Sequence, residues 1–410
     1  MNLLAIGSAM NKGRIWPSEL LAGLLLLGLG LVGWHFATPW IMPLRVTAGP
    51  FVQRCETQSL TLSWFTTRPA DCAVEVVTDA GPRKVAAKRE GLRHTATIDG
   101  LAPGQTYQYS LKAGETALPE VGGVAHTAPP SSSRSARFVV FGDSGHGYRE
   151  QYLLAKRIED AQPDFIVHTG DLIYPGGERE HYRDRFFVPY RAVLQRAPFW
   201  PSIGNHDHAD ASAYLEYFDL PGNGPADAKP ERHYWFDWGA ARFVIVDSNA
   251  KEAELATVVA PWVESTFAGF EGDWRFVVFH HPPHTAGRYP PDAKMTKTLV
   301  PAMQRAGVDV VFNGHDHMYE RTHPLIDGAR DDVTGIVYIV SGAGGAKLYQ
   351  PRDPTSLPSN YALRHHTAHS FTTVELTPDG LRATQQTVDG TLLDEWTLPQ
   401  RRARTASQPG

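Results

Sequence analysis

Cysteine is nearly absent: Cys55 and Cys72 are the only two in 410 residues. Two thiols exclude a disulfide-dense fold and a thiolate-held structural zinc site. No block of basic residues stands out against a formal net charge of −5, which leaves nucleic acid binding without electrostatic support. No internal repeat with a period of about 20 to 50 residues is found, so solenoids and propellers are excluded. Long hydrophobic runs are also missing, with one exception: Leu20 to Ala37, apolar apart from His35.

That run follows Lys12 and Arg14, which marks its amino-terminal side as cytoplasmic. Its length falls between the roughly 7 to 15 residues of a signal-peptide core and the roughly 20 of a membrane span. A cleavage site ending at Ala37 would have the bulky His35 two positions earlier, which favours an uncleaved anchor over a cleaved signal. Residues 1–19 then form a cytoplasmic segment and 20–41 the anchor or signal. Either way the rest of the chain is exported, and it faces a membrane only if the segment is retained.

From 45 to 127 the chain consists of short alternating segments (SLTLSWF, CAVEVV, HTATIDGL, TYQYSLKAG) broken by Gly, Pro and Asp. This is the pattern of a small antiparallel sandwich. Trp64 and Tyr107 resemble the buried aromatics of a fibronectin type III-like domain and are read as core packing. With Ser59 to Phe65 as the strand between them, Cys55 and Cys72 stand some 20 Å apart at about 3.4 Å per residue. Disulfide geometry needs about 7 Å or less, so no bond is expected.

APPSSSRS, 128–135, is a linker by composition. Strands and helices then alternate: strand 137–141, helix 150–161, strand 164–168, helical material at 181–196, and strands near 199–203, 233–237, 242–247, 274–280, 308–312 and 335–341. FTTVEL, LRATQQTV and LDEWTL close the domain as an antiparallel sheet. The expected fold is a layered α/β (α+β) sandwich over 136–398 behind an all-β amino-terminal domain. Residues 399–410 are expected to be a disordered tail.

Five apolar runs in this domain end in oxygen or nitrogen donors. DFIVHTGDLIY carries Asp171 and Tyr174, RFVVFGDSG carries Asp143, PFWPSIGNHD carries Asn205, WRFVVFHHPP carries His280, and VDVVFNGHDH carries His315 and His317. In an open α/β sheet, ligands bind beyond the carboxyl ends of the strands, so the five segments would deliver these groups to one edge. Asp171 has two carboxylate oxygens and could bridge two cations about 3.5 to 4 Å apart. Carboxylates and imidazoles together suit iron, manganese or zinc.

GDSG, GDLIY, GNHD, FHHP and GHDH, in this order, resemble the calcineurin-like metallophosphoesterases. Tyr174 three residues after Asp171, Gly145 where many relatives carry a histidine ligand, the GHDHMYER flank and the fibronectin-like domain are similar to the purple acid phosphatase branch. The resemblance implies a first metal, Fe(III), held by Asp143, Asp171, Tyr174 and His317, and a second divalent metal (Fe, Zn or Mn) held by Asp171, Asn205, His280 and His315. A phenolate ligand demands a strongly Lewis-acidic cation, because free tyrosine ionises near pH 10. The implied activity is hydrolysis of phosphate monoesters, of acid phosphatase type, on phosphorylated small molecules, with a metal-bound water of pKa about 7 as nucleophile. His206 would steady the phosphoryl oxygens or protonate the leaving group. His284 is a second candidate for phosphate contact. His146, His208, His281 and Arg321 are read as supporting residues, and His365, His366 and His369 as a solvated loop. Two alternatives stay open: a phosphodiesterase using the same metal pair, and an inert membrane-tethered binding protein.

Overall fold

The computed structural model describes residues 43–209, 211–352 and 362–401. The apolar run 20–37 lies outside them. Among the described residues no helix is long and apolar enough to cross a membrane.

The amino-terminal domain is two four-stranded antiparallel sheets. One joins Val46–Cys55, Ser59–Thr66, Arg93–Asp99 and Lys88–Glu90; the other joins Gly81–Ala86, Cys72–Thr78, Thr106–Ala113 and Thr116–His126. Alternation along these strands sends Leu62, Trp64, Val74, Val76 and Leu111 inward, all fully buried. Cys55 and Cys72 fall in different sheets, buried and free. Tyr107 packs against this core as a half-buried ring, and its hydroxyl accepts the Ala102 amide at 2.8 Å. That bond pins the turn before its own strand, as the tyrosine corner does in sandwich domains.

This domain packs directly on the larger one. Tyr109 donates its hydroxyl proton to the Gln195 carbonyl (2.7 Å), Gln53 bonds the Tyr217 carbonyl and the Asp219 amide, and Phe51 meets Phe187 at 5.1 Å. The linker is docked as well: the Ala128 amide bonds Glu56 and the Ser133 carbonyl accepts from Ala240.

The larger domain is a sandwich of a six-stranded and a seven-stranded sheet. In the first, Phe199–Pro201, Phe165–His168 and Ala136–Phe141 are parallel, and Ser370–Thr377, Gly380–Thr387 and Leu392–Leu398 continue antiparallel. In the second, Ala241–Ile245, Trp274–Val278, Val310–Asn313 and Val337–Ser341 are parallel neighbours, with Tyr234–Trp238 antiparallel at one edge and Tyr319–Thr322 and Ala362–His366 antiparallel at the other. Phe138 of the first sheet meets Phe243 (5.2 Å) and Phe276 (5.6 Å) of the second. The next residues along those strands, Val244 and Val277, point the opposite way into a second core under the helices Ala260–Phe267 and Ala293–Arg305. One face of each strand thus fills the sandwich and the other holds a helical layer.

Three expectations need correction. The two helices just named escape the sequence pattern because each contains a proline: Pro261 sits in a first turn, where proline is tolerated, and Pro301 interrupts the longer helix. His365 and His366 belong to an edge strand paired with Tyr319–Thr322, not to a solvated loop, and His365 bonds the Met318 sulfur. Arg401 is anchored, not free: its guanidinium bonds the Val308 and Thr334 carbonyls and the Asp309 carboxylate.

Tyr107→Phe keeps the ring and removes the corner bond. The expected cost is about 1 kcal/mol, read as a lower urea midpoint with an unchanged slope.

Candidate metal centre

The five parallel strand ends meet at one edge of the sandwich. Asp143, Asp171 and His315 each follow a glycine and adopt left-handed backbone, with φ of 56°, 55° and 70°. Such angles are uncommon outside glycine and concentrate at functional sites. Here they turn each side chain back across its strand end.

Tyr174 Oη lies 3.0 Å from Asp171 Oδ2, 3.3 Å from Asp143 Oδ1 and 3.0 Å from His317 Nε2, while His317 Nε2 is 3.4 Å from Asp143 Oδ1. Beside this group, Asn205 Oδ1 lies 3.1 Å from His280 Nε2 and 3.0 Å from His315 Nδ1, and His280 Nε2 is 3.5 Å from Asp171 Oδ2. Seven donors therefore form two clusters that share Asp171. The imidazoles are pre-set by their other nitrogens: His280 Nδ1 faces the Thr169 carbonyl (2.9 Å) and His317 Nδ1 the Lys347 carbonyl (2.7 Å). A proton on Nδ1 there leaves Nε2 aimed inward as a ligand atom.

Asp143 and Asp171 are buried, at 0 % and 1 % exposure, and two carboxylates at this depth need positive charge nearby. Burial disfavours a charged His280, but Asp171 and then Asp143 outweigh it and push its pKa up to about 10. Burial likewise opposes charge on His317, which Asp143 overcomes. Burial and the same two carboxylates hold the Tyr174 pKa well above its usual value. The carboxylates thus favour positive charge where a cation would sit, and phenolate ligation at Tyr174 requires a cation that reverses its upward shift. His315 stays neutral, its pKa pushed down to about 3 by burial and by His280, the state a metal ligand needs. The donor set fits a pair of cations.

Close approach is bought with glycine. A Cβ at Gly145 would fall 1.6 Å from the Leu172 carbonyl oxygen, so no side chain can stand there unless the Leu172–Ile173 backbone moves. Asp207, which the sequence reading overlooked, is fully buried and accepts the amides of Leu172, Ile173 and Gly204 at 2.9 to 3.1 Å. Its carboxylate ties the Asp171 turn to the Asn205 turn, and its place inside GNHD was the available signal.

His206 lies at the open side. Its amide bonds Asp171 Oδ1 (2.9 Å), Nδ1 bonds the Pro175 carbonyl, Nε2 is 3.9 Å from Asp171 Oδ2, and the side chain is 37 % exposed. His284 is not brought to the centre. Its buried ring stands edge-on to Tyr338 at 4.5 Å, over the second core, and burial pushes its pKa down to about 4. That placement removes the basis for a phosphate contact. His281 comes closer than expected: its ring is 4.6 Å from His315 and Nδ1 is 2.8 Å from Ser248 Oγ. His146 stacks on Tyr174 at 4.1 Å, His208 meets Arg232 at 3.1 Å, and Arg321 pairs with buried Asp394 at 2.7 Å, away from the centre.

A Cβ at Gly204 would lie 2.0 Å from Asp171 Oδ1. Gly204→Ala should keep the far-UV circular dichroism of the wild type but purify with far less bound metal by atomic absorption; wild-type metal content would contradict this geometry.

Residues 136–319 match the family model for calcineurin-like phosphoesterases. Purple acid phosphatase 17 of Arabidopsis thaliana is 23% identical over 309 residues, covering 65% of this chain and 86% of that one. Tartrate-resistant acid phosphatase type 5 of Oryctolagus cuniculus is 25% identical over 65% of this chain and 91% of its own. A probable inactive purple acid phosphatase of Arabidopsis thaliana, number 24, is 25% identical, and the match spans 51% of its length. Among solved structures, a purple acid phosphatase from yellow lupin seeds superposes with a TM-score of 0.74 at 18% identity, over 88% of this chain and 75% of that one. The chain carries a calcineurin-like phosphoesterase domain behind a fibronectin-like domain, and the relatives it is similar to are acid phosphatases.

Proposed function

We propose that the chain hydrolyses phosphate monoesters of small molecules with a pair of cations, Fe(III) at Asp143, Asp171, Tyr174 and His317 and divalent Fe, Zn or Mn at Asp171, Asn205, His280 and His315. The observation that carries the proposal is the sharing of buried Asp171 between two clusters of O and N donors. When bound, such cations neutralise phosphate charge and acidify water.

The chain's own residues supply the rest. His206 is one-third exposed while the candidate ligands beside it, Asp171 and His280, are buried, so it is the imidazole that a substrate can reach. With Nδ1 donating to Pro175, Nε2 faces the centre and can bond a phosphoryl oxygen or pass a proton to the leaving alkoxide. The buried walls exclude bulk water and hold the donors in place before substrate arrives. The apolar run 20–37 supports export, with the domain outside the cytoplasm.

His206→Ala should retain both metals and lose about 100-fold or more in kcat; normal turnover would remove it from the mechanism. Nitrophenyl phosphate should be cleaved faster than bis-nitrophenyl phosphate, and the reverse order would favour the phosphodiesterase reading. Because some relatives carry the label inactive, metal content decides the inert reading: less than about one metal per chain after purification without chelator would favour it. Tyr174→Phe should abolish a visible phenolate-to-iron absorption band present in the wild type; a colourless, active, iron-free wild type would move the first site to another metal.

A further inference from the structure

Two segments cross at the mouth of the centre, 281–291 and 343–352, joined where the Arg352 amide bonds the Gly287 carbonyl at 3.2 Å. Each lays a tyrosine on a candidate ligand. Tyr289 stacks on His315 at 4.5 Å, Tyr349 stacks on His317 at 4.0 Å and 11°, and the two phenols meet edge to face at 5.8 Å. The Arg288 guanidinium lies over the outer side of this pair, 4.9 Å from the Tyr349 ring centre. His317, Tyr349 and Arg288 thus form a column from the centre to the surface. Lys347 springs from the same place, since its carbonyl receives His317 Nδ1.

Arg288, Lys347 and Arg352 are all exposed, and neither segment contains an Asp or Glu. None of the three has an ion-pair partner among the described residues. In a chain of net charge −5, three unpaired cations at the rim of a phosphate-handling centre form a local anion-attracting field. The Arg288 guanidinium stands one aromatic layer outside the candidate ligand His317, and the backbone bonds of Lys347 and Arg352 tether the other two cations to the same crossing. Arginine is also the side chain best matched to a phosphate's paired oxygens.

We propose that Arg288, Lys347 and Arg352 bind a second phosphate on the substrate, so that the preferred substrates are small molecules bearing two phosphates, one cleaved at the centre and one held at the rim. The inference rests on the hydrolytic reading and narrows its substrate class. Hydrolysis itself is unchanged: water supplies the oxygen that bonds to phosphorus, the ester P–O bond breaks, and the leaving oxygen takes a proton.

Two ligands without a cleavable P–O ester bond, propane-1,3-diphosphonate and propylphosphonate, test this on the metal-loaded protein by titration calorimetry at low salt. The diphosphonate should bind at least about tenfold more tightly. That ratio should fall to within about threefold in the Arg288→Ala, Lys347→Ala double variant, while Arg288→Lys keeps part of it. A ratio that survives the double variant, or none in the wild type, overturns the rim. Turnover of nitrophenyl phosphate by the wild type is read separately, so a protein that binds in this way without hydrolysing anything would sink the hydrolase and leave the rim standing.

Discussion

Two carboxylates buried side by side at the ends of parallel strands are the constraint on which the rest of this structure depends. Asp143 and Asp171 cannot both be charged and dry without compensation, because desolvating an unpaired carboxylate costs several kcal/mol or more. Every neighbouring feature answers that demand. The carboxylates raise the pKa of His280 and of His317 against the effect of burial, Tyr174 is held well above its usual pKa, and amide groups of His206 and His315 point at the carboxylate oxygens. The site is an arrangement of donors that makes physical sense only around positive charge.

The fold makes this possible by separating two tasks. Phenylalanines between the sheets and valines beneath the helices hold strand positions rigidly, while the strand ends take up the strain. Three left-handed residues, glycines pressed to within contact of carboxylates, and the buried Asp207 linking two turns would be costly on an isolated loop. Anchored on a close-packed sandwich, they hold a fixed donor geometry. The amino-terminal domain shares a continuous core with this scaffold and braces helical material around Phe187 and Tyr217.

Much of this was legible in the chain. Runs such as RFVVF and VDVVF, each followed by Gly and a donor, announced strands that end at a common edge, and Asp143, Asp171, Tyr174, Asn205, His280, His315 and His317 do meet there. Convergence could be read because backbone topology determines it. Side-chain direction across a turn could not. His284 follows two prolines in FHHPPH, and only the path of that loop decides that it faces Tyr338. His281, adjacent to His280, turns toward Ser248, a contact made 33 residues away in sequence. Asp207 could be noticed from its place inside GNHD, but its role could not, because its partners are backbone amides, which carry no residue signature. The helices around Pro261 and Pro301 were masked by a residue that ordinarily ends helices.

The proposed chemistry depends on Asp171 being shared between two cations. Crystals of protein purified without chelator, measured with anomalous scattering at the iron, zinc and manganese edges, test it most directly. Two peaks are expected about 3.5 to 4 Å apart, with the Asp171 carboxylate in contact with both. A single peak, or a pair that Asp171 does not bridge, would contradict it.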